Sequence, residues 1–71
     1  MSSYSFTGKL PEHWDGDIYP QLVQAAGWRA LCIHDEQPNG IFHATIKQIH
    51  TADIANVRSA IKELGIEILD T

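Results

Sequence analysis

The stretch WRALCIHDEQPNGIFHATIKQI, residues 28–49, decides the fold because it predicts two strands joined by a tight turn. Pro38 fixes its own φ for the turn, Asn39 tolerates the next turn position, and Gly40 accepts a positive φ. Apolar and polar residues alternate on both sides of this turn, as they do in half-buried antiparallel strands. We therefore predict a β-hairpin whose second strand covers 41–49.

The register of this hairpin follows from the pairing that puts apolar residues on one face, since a one-residue slip would turn them to water. A four-residue loop over 37–40 gives this result. On one face it predicts the pairs Leu31–Ile46, Ile33–Ala44 and Asp35–Phe42. On the other face it predicts Cys32–Thr45, His34–His43 and Glu36–Ile41. A three-residue loop with a bulge is the less favourable alternative, because it sets Leu31 against Lys47.

The residues before the hairpin predict a strand followed by a helix. Residues 3–7 alternate between polar and apolar side chains, and Gly8 ends this predicted strand. A helix near 18–26 follows, with Asp17 as its N-cap and Gly27 as its C-cap. The apolar face of this helix consists of Ile18, Leu22, Ala25 and Ala26.

The residues after the hairpin predict a second helix and a last strand. Thr51 or Asp53 caps the helix, Gly65 ends it, and the strand covers 66–69. The apolar stripe of this helix consists of Ile54, Val57, Ile61 and Leu64. The order β-α-β-β-α-β predicts a ferredoxin-like α+β sandwich, a four-stranded antiparallel sheet with two helices on one face and the other face open.

Length and charge limit the class of protein. With 71 residues, we expect one small domain over 1–71 with a marginal core. Five basic against nine acidic residues give a net charge of −4, which argues against a protein held to nucleic acid or anionic lipid by phosphate neutralisation. The single cysteine, Cys32, cannot form an internal disulfide and fits a reducing compartment. With neither a targeting segment nor a membrane span evident, we expect a cytoplasmic protein.

The predicted topology gathers six of the nine acidic residues at one end of the sheet, where the first loop, the hairpin tip and the end of the second helix meet. These residues are Glu12, Asp15, Asp17, Asp35, Glu36 and Glu63. Trp14 belongs to the same end, whereas Trp28 starts the hairpin at the opposite end. Tryptophan is enriched where proteins bind partners, although in a small domain it also folds back over helix ends.

The open sheet face is predicted to be partly apolar, so that either a second copy of the chain or a partner sheet covers it, or it stays exposed and unused. Its predicted residues are Ala30, Cys32, Ile41, His43, Thr45 and Ile49. On the same face, His34, His43 and Cys32 are ligand types that zinc, copper or nickel accept, one ligand short of a closed site. Protonation of both histidines in mild acid would place two positive charges opposite each other.

No catalytic set is evident. Cys32 has neighbouring histidines but no nameable oxyanion donor, and the five glycines stand singly rather than in a phosphate-binding loop. We therefore expect no enzyme, no catalytic residue and no cofactor.

The leading hypothesis is a protein-interaction module, acting as an adaptor, inhibitor or regulatory subunit on a partner with a basic surface. Its predicted partner-binding residues are Trp14, Asp15, Asp17, Trp28, Asp35, Glu36 and His43. The alternative is a dimeric small-ligand or metal sensor that uses His34, His43 and Cys32.

Overall fold

The computed structural model describes residues 2–69, which form four strands and two helices in the order β1-α1-β2-β3-α2-β4. The strands are β1 (Ser2–Lys9), β2 (Leu31–His34), β3 (Ile41–Ile49) and β4 (Glu67–Ile68), and the helices are α1 (Ile18–Ala25) and α2 (Thr51–Glu63). All four strands join one antiparallel sheet in the order β2-β3-β1-β4, so β3 and β1 are central. The predicted α+β class and element order are confirmed.

The hairpin pairs in the predicted register over the length of β2. Leu31–Ile46, Cys32–Thr45, Ile33–Ala44 and His34–His43 are the observed partners. The prediction is wrong nearer the turn, where Asp35 takes a φ of 54° and leaves the strand. Gln37, rather than Glu36, then pairs with Ile41, donating its N–H to the Ile41 carbonyl oxygen at 2.8 Å. Aspartate tolerates this left-handed conformation better than most residues, which lets the chain turn out of the sheet there.

Strand β1 is longer than predicted because Gly8 continues it rather than ending it. Gly8 pairs with Phe42 on β3 and with Ile68 on β4. A Cβ atom built on Gly8 would lie 2.7 Å from Cζ of Phe42 and 3.1 Å from Cγ2 of Ile66. Glycine is therefore required here by the close approach of two core side chains, a common reason for glycine inside a strand.

A β-bulge near the end of β3 changes which residues face the core. Tyr4 pairs with Ile46 and Ser2 with Ile49, so two residues of β3, Lys47 and Gln48, lie opposite one residue of β1. Gln48 has a φ of 57°, and both bulge residues are exposed. The extra residue turns Ile49 inward, where it is 0% exposed. The prediction that Ile49 lies on the open sheet face is therefore wrong.

Both helices cover the face of the sheet that carries its buried side chains. The core cluster consists of Phe6, Ile18, Leu22, Ala26, Leu31, Phe42, Ala44, Ile46, Ile49, Val57, Ile61 and Ile66. The predicted apolar stripe of α2 is confirmed, with Val57 and Ile61 buried and Ile54 and Leu64 packed against the cluster. Burial of this single cluster is what makes the short strands and helices stable together.

Helix α2 begins differently from the prediction. His50 occupies the N-cap position without a side-chain cap, so neither Thr51 nor Asp53 is the cap. Asp53 instead accepts a hydrogen bond from Nη2 of Arg29 at 3.1 Å, while Nη1 of Arg29 donates to the carbonyl oxygen of Ala26 at 2.9 Å. Arg29 thus joins the end of α1 to the start of α2. Neither helix of the described chain is long and apolar enough to cross a membrane.

Candidate functional site

Three segments adjoin at the hairpin-tip end of the sheet. The first loop contacts the hairpin where Leu10 donates its N–H to the Gly40 carbonyl oxygen at 3.0 Å. It also contacts the end of α2, since Cγ of Pro11 lies 3.6 Å from the position of a Cβ on Gly65. We call the residues Glu12, Asp15, Asp17, Asp35 and Glu36, on the first loop and the hairpin tip, the acidic end.

The side chains of the acidic end are exposed. Asp17 caps α1 by accepting the Tyr19 N–H at 3.1 Å, and Asp35 lies 3.3 Å from Nδ1 of His34. Within residues 2–69, no ion pair is found for Glu12, Asp15, Asp17 or Glu36. Their negative charge is therefore directed to solvent rather than neutralised within the fold.

Trp14 is held at this end but is only partly accessible. Its side chain is half-buried and packs against the core cluster, and its backbone N–H donates to the Pro11 carbonyl oxygen at 3.1 Å. The indole Nε1 is buried, and no hydrogen-bond partner for it is found among the described residues. A groove of about 350 Å³ separates the first loop from the hairpin tip. It is lined by Lys9, Leu10, Pro11, Glu12, Trp14, Pro38, Asn39 and Gly40.

Trp28 lies at the other end of the sheet and is 75% exposed. Its φ of 64° is in the left-handed region, next to Gly27 with a φ of 69°. A residue other than glycine pays roughly 1–2 kcal/mol for this conformation. Since little of the indole is buried, packing does not offset that cost, and such strain tends to occur at functional sites.

The open sheet face is mostly polar in the structure. Ser5 and Thr45 are hydrogen-bonded through their hydroxyl oxygens at 3.0 Å, and Thr7 Oγ1 lies 2.8 Å from Nδ1 of His43. With Ile49 turned inward, this face is less apolar than predicted, although Ile41 stays on the same side of β3 as His43 and Thr45. Cys32 is an exposed free thiol.

Histidines 34 and 43 stack on this open face. Their ring centroids are 5.7 Å apart and their planes differ by 16°. Cys32 does not complete a metal cluster with them, because residues 2–69 contain no group of three or more histidine, cysteine or acidic side chains that could hold an ion. The three predicted ligands are therefore present on one face, but only the two imidazoles meet.

The predicted partner-binding residues thus occupy three places. Asp15, Asp17, Asp35 and Glu36 share the acidic end with Trp14, His43 lies in the middle of the open face, and Trp28 lies at the far end. Sequence reasoning missed Thr7 as the residue that holds the His43 ring. The alternation of β1 was the available signal, since it placed Thr7 on the polar side of that strand.

Comparison with known proteins gives no relative: no family model, curated protein or solved structure matches the chain.

Proposed function

We propose that this protein is an interaction module, an adaptor, inhibitor or regulatory subunit without chemistry of its own, that binds a basic surface of a partner protein through the acidic end. One observation carries the proposal: five exposed acidic side chains lie on two adjoining loops, and four of them are in no ion pair within the described residues. A basic partner surface would offset the mutual repulsion of these charges.

Charge of this kind acts mainly on association rate and specificity. Exposed carboxylates attract a basic surface over about 8–10 Å at physiological salt, and the attraction weakens as salt rises. The neighbouring groove, with Trp14 and two prolines in its lining, offers apolar contact beside the charges. Such contact is needed because exposed ion pairs alone contribute only about 0–1 kcal/mol each.

Trp28 supports a second contact, separate from the acidic end. An exposed tryptophan presents a large apolar surface that binding can bury, and tryptophan is frequent among residues that dominate interface energies. Trp28 and the hairpin tip lie at opposite ends of β2, so a partner that covers both must extend along the whole of that strand. We propose that Trp28 serves an extended partner or a second one.

The strand order β2-β3-β1-β4, together with the two β-α-β halves, supports assignment of the fold as ferredoxin-like. We make this assignment as part of the proposal. A cytoplasmic location is proposed with it, on the basis of the unpaired thiol of Cys32. A homodimer through the open face would pair mostly polar surfaces, so we favour a partner protein over a second copy.

The proposal is tested by making the same change in net charge at two different places on the protein. Asp35→Asn with Glu36→Gln raises the net charge by two at the acidic end. Asn56→Lys with Ser59→Lys raises it by two at exposed positions of α2. The probe is a decalysine peptide, followed by Trp14 fluorescence in a Trp28→Phe background at low and physiological salt.

We expect the acidic-end pair of substitutions to weaken decalysine binding and to flatten its salt dependence. The α2 pair should reduce the affinity and its salt dependence by less. Equal weakening by the two pairs would mean that only net charge matters, and the acidic end would then be rejected as a binding surface. The parent and the two paired variants, used as bait in extracts of the native host, show whether a retained protein depends on Asp35 and Glu36.

A further inference from the structure

Two imidazoles meet on the open sheet face, where His34 on β2 lies directly opposite His43 on β3. The ring centroids are 5.7 Å apart. Two imidazoles bound to neighbouring positions of one ion through nitrogens at about 2.0–2.1 Å have ring centroids roughly 4.5–5 Å apart, for square-planar or tetrahedral coordination. The backbone register therefore already holds the two rings at close to the separation that a shared ion requires.

One nitrogen of each ring is engaged by a neighbouring side chain. Nδ1 of His34 lies 3.3 Å from Oδ2 of Asp35, and Nδ1 of His43 lies 2.8 Å from Oγ1 of Thr7. Because an ionised carboxylate only accepts hydrogen bonds, the neutral imidazole of His34 makes this bond with its proton on Nδ1 and its lone pair on Nε2. The Thr7 hydroxyl can accept as well as donate, so His43 can adopt the same tautomer without losing its hydrogen bond.

The hydrogen-bonding pattern is the one usual for histidines that bind metals, with one nitrogen held by a carboxylate or another acceptor and the other nitrogen left for the ion. We propose that Nε2 of His34 and Nε2 of His43 together bind one divalent first-row transition-metal ion. Copper(II) should bind most tightly, since it forms the strongest complexes with nitrogen ligands in this series. Water completes the coordination, because no third protein ligand joins the pair within the described residues.

Binding requires one local movement. The ring planes differ by only 16° and must turn toward each other so that both Nε2 atoms reach the same ion. The turn occurs about the Cβ–Cγ bond, whose torsional profile is broad in histidine. The exposed position of His34 at the edge strand leaves room for this rotation. The carboxylate of Asp35 adds negative charge next to the incoming cation.

The test is a copper(II) titration of the Cys32→Ser protein, in which no thiol can reduce or bind the ion. We expect one copper per chain and a paramagnetic resonance spectrum with hyperfine coupling to two imidazole nitrogens. His34→Ala should remove one nitrogen from the signal and weaken copper binding by more than roughly a hundredfold. Loss of a residue that only hydrogen-bonds to a metal-binding histidine costs roughly tenfold to a hundredfold. Thr7→Val should show that smaller loss, about tenfold or more, with both nitrogens retained.

His13→Ala is the matched control, since it removes an exposed imidazole from the first loop. It should keep the affinity and the two-nitrogen signal. Equal copper affinity of the His34→Ala and His13→Ala proteins, a single-nitrogen signal in the parent, or one copper per two chains would each overturn the proposal. His34 is exposed, so its replacement should preserve the fold, which circular dichroism checks. Decalysine binding is measured separately, so either proposal can fail without the other.

Discussion

Trp28 donates its backbone N–H to the Val23 carbonyl oxygen at 2.9 Å, yet the residue is 75% exposed. Together with the bond from Gly27 N–H to the Gln24 carbonyl oxygen at 3.1 Å, this contact ends α1 in a Schellman motif. An apolar residue at the Trp28 position commonly packs back onto the helix in this motif. Here the helix end fixes the backbone of Trp28 and leaves most of its indole in solvent.

Replacing Trp28 by glycine should therefore stabilise the protein relative to replacing it by alanine. Both changes remove the indole, but only glycine adopts a φ of 64° without steric cost. We expect Trp28→Gly to be more stable than Trp28→Ala by about 1 kcal/mol. Urea unfolding followed by circular dichroism measures the difference. An alanine variant as stable as the glycine variant would show that the left-handed backbone is not strained.

Gly8→Ala should destabilise the fold by about 1–3 kcal/mol, because the added methyl group enters a filled core. Its Cβ would lie 2.7 Å from Cζ of Phe42. Shortening that neighbour relieves the clash, so Gly8→Ala should cost less in a Phe42→Leu background than in the parent. A double-mutant cycle by thermal unfolding gives the coupling. Additive effects of the two changes would contradict the close contact.

Asp53→Asn should weaken the link between the helices. The change removes the single negative charge of Asp53. This charge pairs with Arg29, with 3.1 Å between nitrogen and oxygen, and it also lies in the first turn of α2. Since both side chains are partly exposed, we expect a loss of only about 0.5–1 kcal/mol that shrinks in high salt. Glu63→Gln, in the last turn of α2, is the control and should not destabilise, since no ion pair is found for Glu63 within residues 2–69. A loss that is independent of salt would indicate packing rather than charge.

Deletion of Gln48 should be tolerated. Removing this residue converts the bulge into regular pairing and keeps Ile49 on the inner side, because one exposed residue then separates it from Ile46. Deletion of Thr45, within the regular part of β3, should instead prevent folding. The side chains that precede or follow the deletion would then point to the opposite face of the sheet, so core residues would be exposed. Chemical shifts of the core methyl groups distinguish the two outcomes. Loss of the native spectrum on deletion of Gln48 would show that the bulge is required.

The predicted parts of the fold are those in which one local pattern is decisive. The pairing of His34 with His43 followed from the alternation of Leu31 and Ile33 with Ala44 and Ile46, because any slip would expose apolar side chains. The stripe of α2 followed in the same way from helical spacing. This register placed the two imidazoles opposite each other, whereas their stacking, with ring planes 16° apart, was not part of the prediction.

Other features depend on contacts that a local pattern does not contain. Gly8 ends a strand by its intrinsic preference, but the approach of Phe42 and Ile66 makes glycine necessary inside the strand. The bond between Thr7 and His43 depends on β1 pairing with β3, two strands separated in the chain by a helix and another strand. The intrinsic preferences of neighbouring residues for strand, turn or helix do not predict either contact.

By itself, the sequence determined the element order, the hairpin register and the apolar faces of both helices, because burial of alternating and helically spaced side chains leaves few other solutions. The tertiary structure decided the strand order, the inward turn of Ile49, the exposure of Trp28 and the neighbours of each histidine. These features follow from how distant segments pack into one small core. The bulge at Gln48 and the left-handed Trp28 each carry a local backbone cost, which the fold as a whole must offset.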